Sequence, residues 1–213
     1  MHSTKGHGVQ SGGKNLNRKL FKSSVNVKNT RMHEIRIHGR GGQGAVTTGQ
    51  LLAVAAFYDG KSTQTFPMFG VERCGAPVQA YARIDTKQIN LRCEIYEPDI
   101  CMVLDPSLLE TVDVTKGLKP KGTIIINSNK TKKELGIKGN FDVHIVDATQ
   151  IALNIFKRPI VNAPVLGAFS KITKLVSVAS LKKAIDEIIL PNKGERIAAL
   201  NKKAVEEVYK ATR

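Results

Sequence analysis

Tryptophan is absent from this 213-residue chain, and aromatic residues make up only 5% of it. A surface built to stack unpaired nucleic-acid bases carries more rings than that. No apolar run approaches the ~18–20 residues of a membrane-spanning helix, which excludes that class. The three cysteines, Cys74, Cys93 and Cys101, are odd in number and lack C-x-x-C spacing. They make neither an iron–sulfur nor a four-ligand zinc signature, and a disulfide scaffold at this density is excluded with them. Cys93 and Cys101 read as small apolar residues on strands. Cys74 sits among Gly and Pro, where a reactive thiol stays open.

Acids are missing from residues 1–31, which hold seven Lys and Arg and so carry nearly half of the net charge of +15. The segment is polar, shows no periodicity, and cannot bury enough apolar surface to order itself. It reads as a disordered basic leader or tail, with organelle targeting as an alternative and the cytoplasm as the expected location otherwise. In residues 32–213, the charges interleave with acids. A basic body favours acidic partners; no nucleic-acid motif accompanies the charge.

What is present is an α/β alternation confined to residues 32–213, one domain by length. His33–His38 reads as a strand and Ala45–Tyr58 as a buried helix ending at Asp59-Gly60. Ser62–Phe66 is a short strand. Val78–Ile84 and Gln88–Arg92 flank Asp85-Thr86-Lys87 and read as an inserted β-hairpin. Asp99–Leu104 and Thr123–Asn127 are runs of the kind buried on both faces of a parallel sheet. Asp142–Val146 is a further strand, and Thr149–Phe156, Leu166–Lys174, Ser180–Ile189 and Glu195–Lys210 are helices. In the last, Ile197, Leu200, Ala204 and Val208 recur at spacings of three and four. The expected fold class is α/β: a Rossmann-like, mainly parallel sheet with helices on both faces, an inserted β-hairpin and a helical C-terminus. His33, His38 and His144 fall on strands among apolar neighbours and read as ordinary satisfied histidines rather than ligands or bases.

Two loops stand out. Gly39-Arg40-Gly41-Gly42-Gln43-Gly44 follows a strand, opens a helix and matches G-x-G-x-x-G. A dinucleotide fingerprint also wants an acid at the end of the second strand, where this chain has Phe66-Pro67 and leaves Asp59 at a helix end. No Lys-Ser/Thr pair follows, so it is not a P-loop. The glycines alone fit a tight strand-to-helix turn, while Arg40 and Gln43 add long polar reach at the end of a sheet where ligands bind. The second loop is Phe66-Pro67-Met68-Phe69-Gly70-Val71-Glu72-Arg73-Cys74-Gly75-Ala76-Pro77. It reads either as a locally packed surface loop or as a docking loop, because Phe, Met and Arg are frequent interface anchors.

Together these loops resemble the gamma subunit of the pyruvate and 2-oxoisovalerate ferredoxin oxidoreductases. Tyr96-Glu97-Pro98-Asp99, Val146-Asp147-Ala148-Thr149, Arg158-Pro159-Ile160-Val161-Asn162 and Leu166-Gly167-Ala168-Phe169 agree, and the similarity runs from Met32 to Tyr209. Cys74 departs from the usual pattern and leaves the assignment intact. The resemblance implies a subunit of an enzyme that decarboxylates a 2-oxoacid oxidatively to its acyl-CoA and passes electrons to ferredoxin. It implies no cofactor held by this chain alone, with thiamine diphosphate, Mg, coenzyme A and iron–sulfur clusters in the complex. The implied partners are alpha, beta and delta subunits and ferredoxin, with no nucleic acid and no membrane. Gly39, Arg40, Gly41, Gly42, Gln43 and Gly44 are the expected cofactor-binding positions, and Phe69, Glu72 and Arg73 the expected interface positions; neither catalytic nor metal residues are expected. The alternative is a stand-alone Rossmann-like nucleotide-binding protein.

Overall fold

Alternation in the first strand sets the two faces of the sheet. In the computed structural model, which describes residues 31–68 and 74–213, β1 spans His33–Arg40. Its Ile35 and Ile37 point into one apolar cluster, so the intervening Arg36 and His38 point to the other face. β1 pairs antiparallel with β3 (Pro77–Asp85) and parallel with β4 (Ile100–Val103). β5 (Thr123–Asn127) and β6 (Asp142–Val146) extend the parallel half. β2 (Ser62–Pro67) closes the opposite edge, giving the order β2-β3-β1-β4-β5-β6.

The first face carries all the long helices: α1 (Ala45–Tyr58), α2 (Ala148–Phe156), α3 (Val165–Thr173), α4 (Val178–Ile188) and α6 (Glu195–Ala211). A one-turn helix α5 (Leu190–Lys193) links the last two. Leu51 and Leu52 of α1, Phe169 of α3 and Val205 of α6 are wholly buried in the same apolar cluster as Ile35, Ile37 and Met102. Each such side chain contributes about 1.5–3 kcal/mol. Coverage of the second face is unequal to this. There a 3-10 turn, Pro106–Glu110, and the loops after it bury Cys101, Val103, Ile124 and Ile126 under Val114 and Leu118. Where the sequence led one to expect helices on both faces, the second layer is a 3-10 turn and loops.

The expected hairpin of Val78–Ile84 with Gln88–Arg92 does not form; the antiparallel hairpin partner of β3 is β2, which precedes it. β3 is hydrogen-bonded on one side to β2 and on the other to β1, so Gln88–Arg92 has no edge of β3 left to join. Those residues run outside β2 instead, where Gln64 Nε2 donates to the Leu91 carbonyl at 2.9 Å and the Ile89 N–H donates to Ser62 Oγ at 3.2 Å. Cys93 follows them in an exposed loop rather than on a strand, whereas Cys101 is buried in β4 as expected.

Candidate functional site

After β1 the chain turns toward the helical face to enter α1, and after β4 it turns to the other face to enter the 3-10 turn. Loops that diverge from adjacent parallel strands in this way leave a crevice at their carboxyl ends, where open α/β sheets bind ligands. The crevice measures about 840 Å³ and is walled by Gly42–Gly44 and Thr47, by Leu104–Pro106, and by Asn127–Asn129. Asp147, Thr149, Gln150 and Leu153 of the α2 region and Pro159–Asn162 complete it.

The glycine loop is built by its own side chains. Gln43 Oε1 accepts from the Arg40 N–H and Gln43 Nε2 donates to Asp105 Oδ2, at 2.9 and 2.7 Å. Arg40 Nε lies 3.3 Å from the same carboxylate oxygen. Its guanidinium also donates to Ser107 Oγ at 2.8 Å and to the Gly75 carbonyl at 3.1 Å. Burial alone would raise the Asp105 carboxyl, but donors from Ser107 and Gln43 and the charge of Arg40 outweigh it and hold it below the usual carboxylate range. Arg40 and Gln43, read from sequence as long arms reaching for a ligand, are therefore occupied with Asp105. Gly44 takes φ 82°, and a Cβ there would stand 2.8 Å from Asn162 Nδ2, so only glycine fits. Thr48 Oγ1 donates to the Asn162 carbonyl at 2.9 Å, tying α1 to the segment before α3.

The two loops meet where the second returns to the sheet. The Gly41 N–H donates to the Ala76 carbonyl at 2.8 Å, and the Gly75 N–H donates to the Gly41 carbonyl at 3.1 Å. Of Gly39, Arg40, Gly41, Gly42, Gln43 and Gly44, the last three line the crevice, while Gly41 pairs with the returning arm of the second loop beside it. Phe69, Glu72 and Arg73 lie outside the described residues.

Sequence reasoning missed Asp105 and Ser107, which clamp the glycine loop, and Asn127, whose Nδ2 donates to the Leu104 carbonyl and whose Oδ1 accepts from the Thr149 N–H. A signal existed for the first pair: Asp105-Pro106 after an apolar run is an N-cap followed by proline at the first helical position. Away from the crevice, Arg36 Nε donates to His38 Nε2 at 3.0 Å, and its terminal nitrogen Nη2 holds the Val114 and Lys116 carbonyls. Burial, reinforced by Arg36, pushes His38 down to about 3, and burial pushes the Cys101 thiol up to about 11. His144 pairs with Asp142 at 2.9 Å. Among the described residues no cluster of His, Cys, Asp and Glu is arranged to hold a metal ion, and no helix is long and apolar enough to cross a membrane.

An open, mostly parallel sheet with a glycine-lined crevice at its switch point defines a Rossmann-like α/β domain. Residues 34–211 match the pyruvate ferredoxin/flavodoxin oxidoreductase family, and the chain belongs to it. Pyruvate synthase subunit PorC of Methanocaldococcus jannaschii is 53% identical over 84% of this chain and 96% of its own length. The common gamma subunit of the pyruvate/ketoisovalerate oxidoreductases of Pyrococcus furiosus is 50% identical over 85% and 97%. Among solved structures, pyruvate oxidoreductase subunit PORC of Thermotoga maritima superposes with a TM-score of 0.73 at 35% identity, covering 85% of this chain and 97% of that one.

Proposed function

We propose that this chain is the gamma subunit of a 2-oxoacid:ferredoxin oxidoreductase of pyruvate synthase type. The assembled enzyme oxidatively decarboxylates a 2-oxoacid to acyl-CoA and CO2 and delivers electrons to ferredoxin. The observation that carries the reading is the pairing of the glycine loop with the Cys74–Ala76 arm at one edge of the crevice, in a chain that matches gamma-type relatives over nearly their whole length. The gamma chain of the Pyrococcus furiosus relative is common to two oxidoreductases. This supports the view that choice between pyruvate and a branched 2-oxoacid is made by other subunits.

Thiamine diphosphate, with its metal, and coenzyme A belong to the complex in this reading. Their diphosphates do not suit the crevice itself, whose charged wall residues are Asp105 and Asp147 with no Lys or Arg among them. Contact of Gly39–Gly44 with a cofactor would go through the exposed backbone at Gly42, because Arg40 and Gln43 are engaged with Asp105. The role assigned to the chain is to pack this edge, with Phe69, Glu72 and Arg73 of the second loop, against the thiamine-bearing alpha and beta subunits and close their site. Exclusion of water protects reactive intermediates from stray protons and oxidants. The cluster-bearing delta subunit and ferredoxin complete the electron path, and the cytoplasm is the proposed location.

The stand-alone nucleotide-binding alternative gains nothing: the acid it needs near the second strand, Asp59, is committed instead to Ser177 and Ser180 at the start of α4. Reconstitution tests the proposal. Ferredoxin reduction that depends on 2-oxoacid and coenzyme A is expected to collapse when this chain is omitted and to return when it is added. Full turnover by the remaining subunits without it would reject the role.

A further inference from the structure

The crevice has a charge opposite to that of the chain around it. The whole protein carries +15, yet the charged groups on the crevice wall are two carboxylates, Asp105 and Asp147. Asp105 is neutralised by Arg40 and surrounded by donors from Gln43 and Ser107. Asp147 is not. Its Oδ1 accepts the Gln150 N–H at 2.8 Å as the cap of α2, and no salt bridge or further hydrogen bond reaches its carboxylate among the described residues. Beside it the wall offers Asn129, Thr149 and Asn162 as hydrogen-bonding groups. The lip is apolar: Leu153 and Ile160 are each 38% exposed, large for aliphatic side chains at the rim of a polar cleft. Exposed aliphatics around a polar, concave centre are the make-up of a surface that another chain covers.

On the gamma-subunit reading above, we propose that the crevice is a socket for a segment of a companion subunit. That segment presents a Lys or Arg side chain to Asp147 and an adjoining aliphatic or aromatic side chain to Leu153 and Ile160. Charge complementarity selects this occupant. A phosphate, carboxylate or acidic peptide would face the unneutralised Asp147 carboxylate with no Lys or Arg in the wall, whereas a desolvated cation gains a charge-assisted hydrogen bond there. The net charge of the chain opposes the approach of a basic segment at long range, so the contact acts at short range and fixes register rather than speeding encounter. At about 840 Å³ the crevice has room for more than one side chain, as the paired cation and apolar group require.

The experiment measures association of this chain with the other purified subunits across a range of salt. Three variants serve: Asp147→Asn, which keeps the Oδ1 acceptor for the Gln150 N–H while removing the charge, Gln150→Lys, which places a cation on the exposed rim, and Gln150→Glu. Unchanged thermal midpoints confirm that each is folded. Asp147→Asn is expected to weaken association several-fold, with the difference from wild type shrinking as salt rises. Gln150→Lys should weaken it at least as much, and Gln150→Glu should leave it unchanged or tighter. Wild-type association by Gln150→Lys, or tighter association by Asp147→Asn, overturns the socket while leaving the gamma-subunit reading intact. If the wild-type chain fails to associate with the thiamine- and cluster-bearing subunits at all, the reading falls and the socket with it.

Discussion

His38 shows how a buried side chain ties stability to pH. It accepts from Arg36 Nε and is 2% exposed, so the native state admits its proton only near pH 3. The unfolded chain takes the same proton near pH 6.5. A native pKa depressed in this way contributes stability that is complete above about 6.5 and drains away as pH falls toward the native value. His38→Gln keeps an acceptor for Arg36 and removes the titration. Its urea midpoint is expected to change less than wild type between pH 6.5 and pH 4.5, and parallel curves would contradict the assignment. Gly44→Ala acts through geometry instead: φ 82° and a 2.8 Å approach to Asn162 should cost about 1–3 kcal/mol. That loss would be read as a fall in the denaturation midpoint with an unchanged m-value.

At the scale of elements, the α3–α6 crossing is the most exacting contact. A Cβ on Gly167 of α3 would strike the backbone carbonyl of Val205 and stand 2.9 Å from the Tyr209 N–H in α6. Backbone cannot swing aside as a flexible side chain does. Gly167→Ala is therefore expected to destabilise by at least about 2 kcal/mol despite removing a helix-interior glycine. Hydrogen exchange should show α6 loosening first; a stabilised variant, as propensity alone would give, would refute the close approach. The elements were legible where pattern and environment agree. Ala45–Tyr58, Thr123–Asn127 and Asp142–Val146 have the bounds that apolar runs and a glycine stop suggest. Gln88–Arg92 misled because alternation after a turn-like Asp85-Thr86-Lys87 is the same whether or not a partner edge is vacant. β3 had already given both its edges to β1 and β2.

For the molecule as a whole, the net charge of +15 points toward anionic partners, whereas the crevice wall carries carboxylates. Local arrangement outweighs the total at contact distance, because screening limits bulk charge to about 8–10 Å at ordinary ionic strength. The purified chain is accordingly expected to give no calorimetric signal with NAD up to about 1 mM, the affinity at which binding is worth only about 4 kcal/mol. A micromolar NAD complex would restore the nucleotide-binding alternative.

The order of residues was sufficient for the α/β class, the two loops as motifs and the family, since periodicity and motif spacing are local properties. It also placed Asn162 within a motif, but could not say that its side chain abuts Gly44 or that its carbonyl ties down Thr48. Folding decided the rest. Asp105 lies 62 residues from Gln43 in sequence and takes its hydrogen bond, so Arg40 and Gln43 brace the loop instead of reaching outward. Which polar groups are consumed by one another, and which remain for a partner, depends on distances between segments far apart in the chain, and only packing sets those.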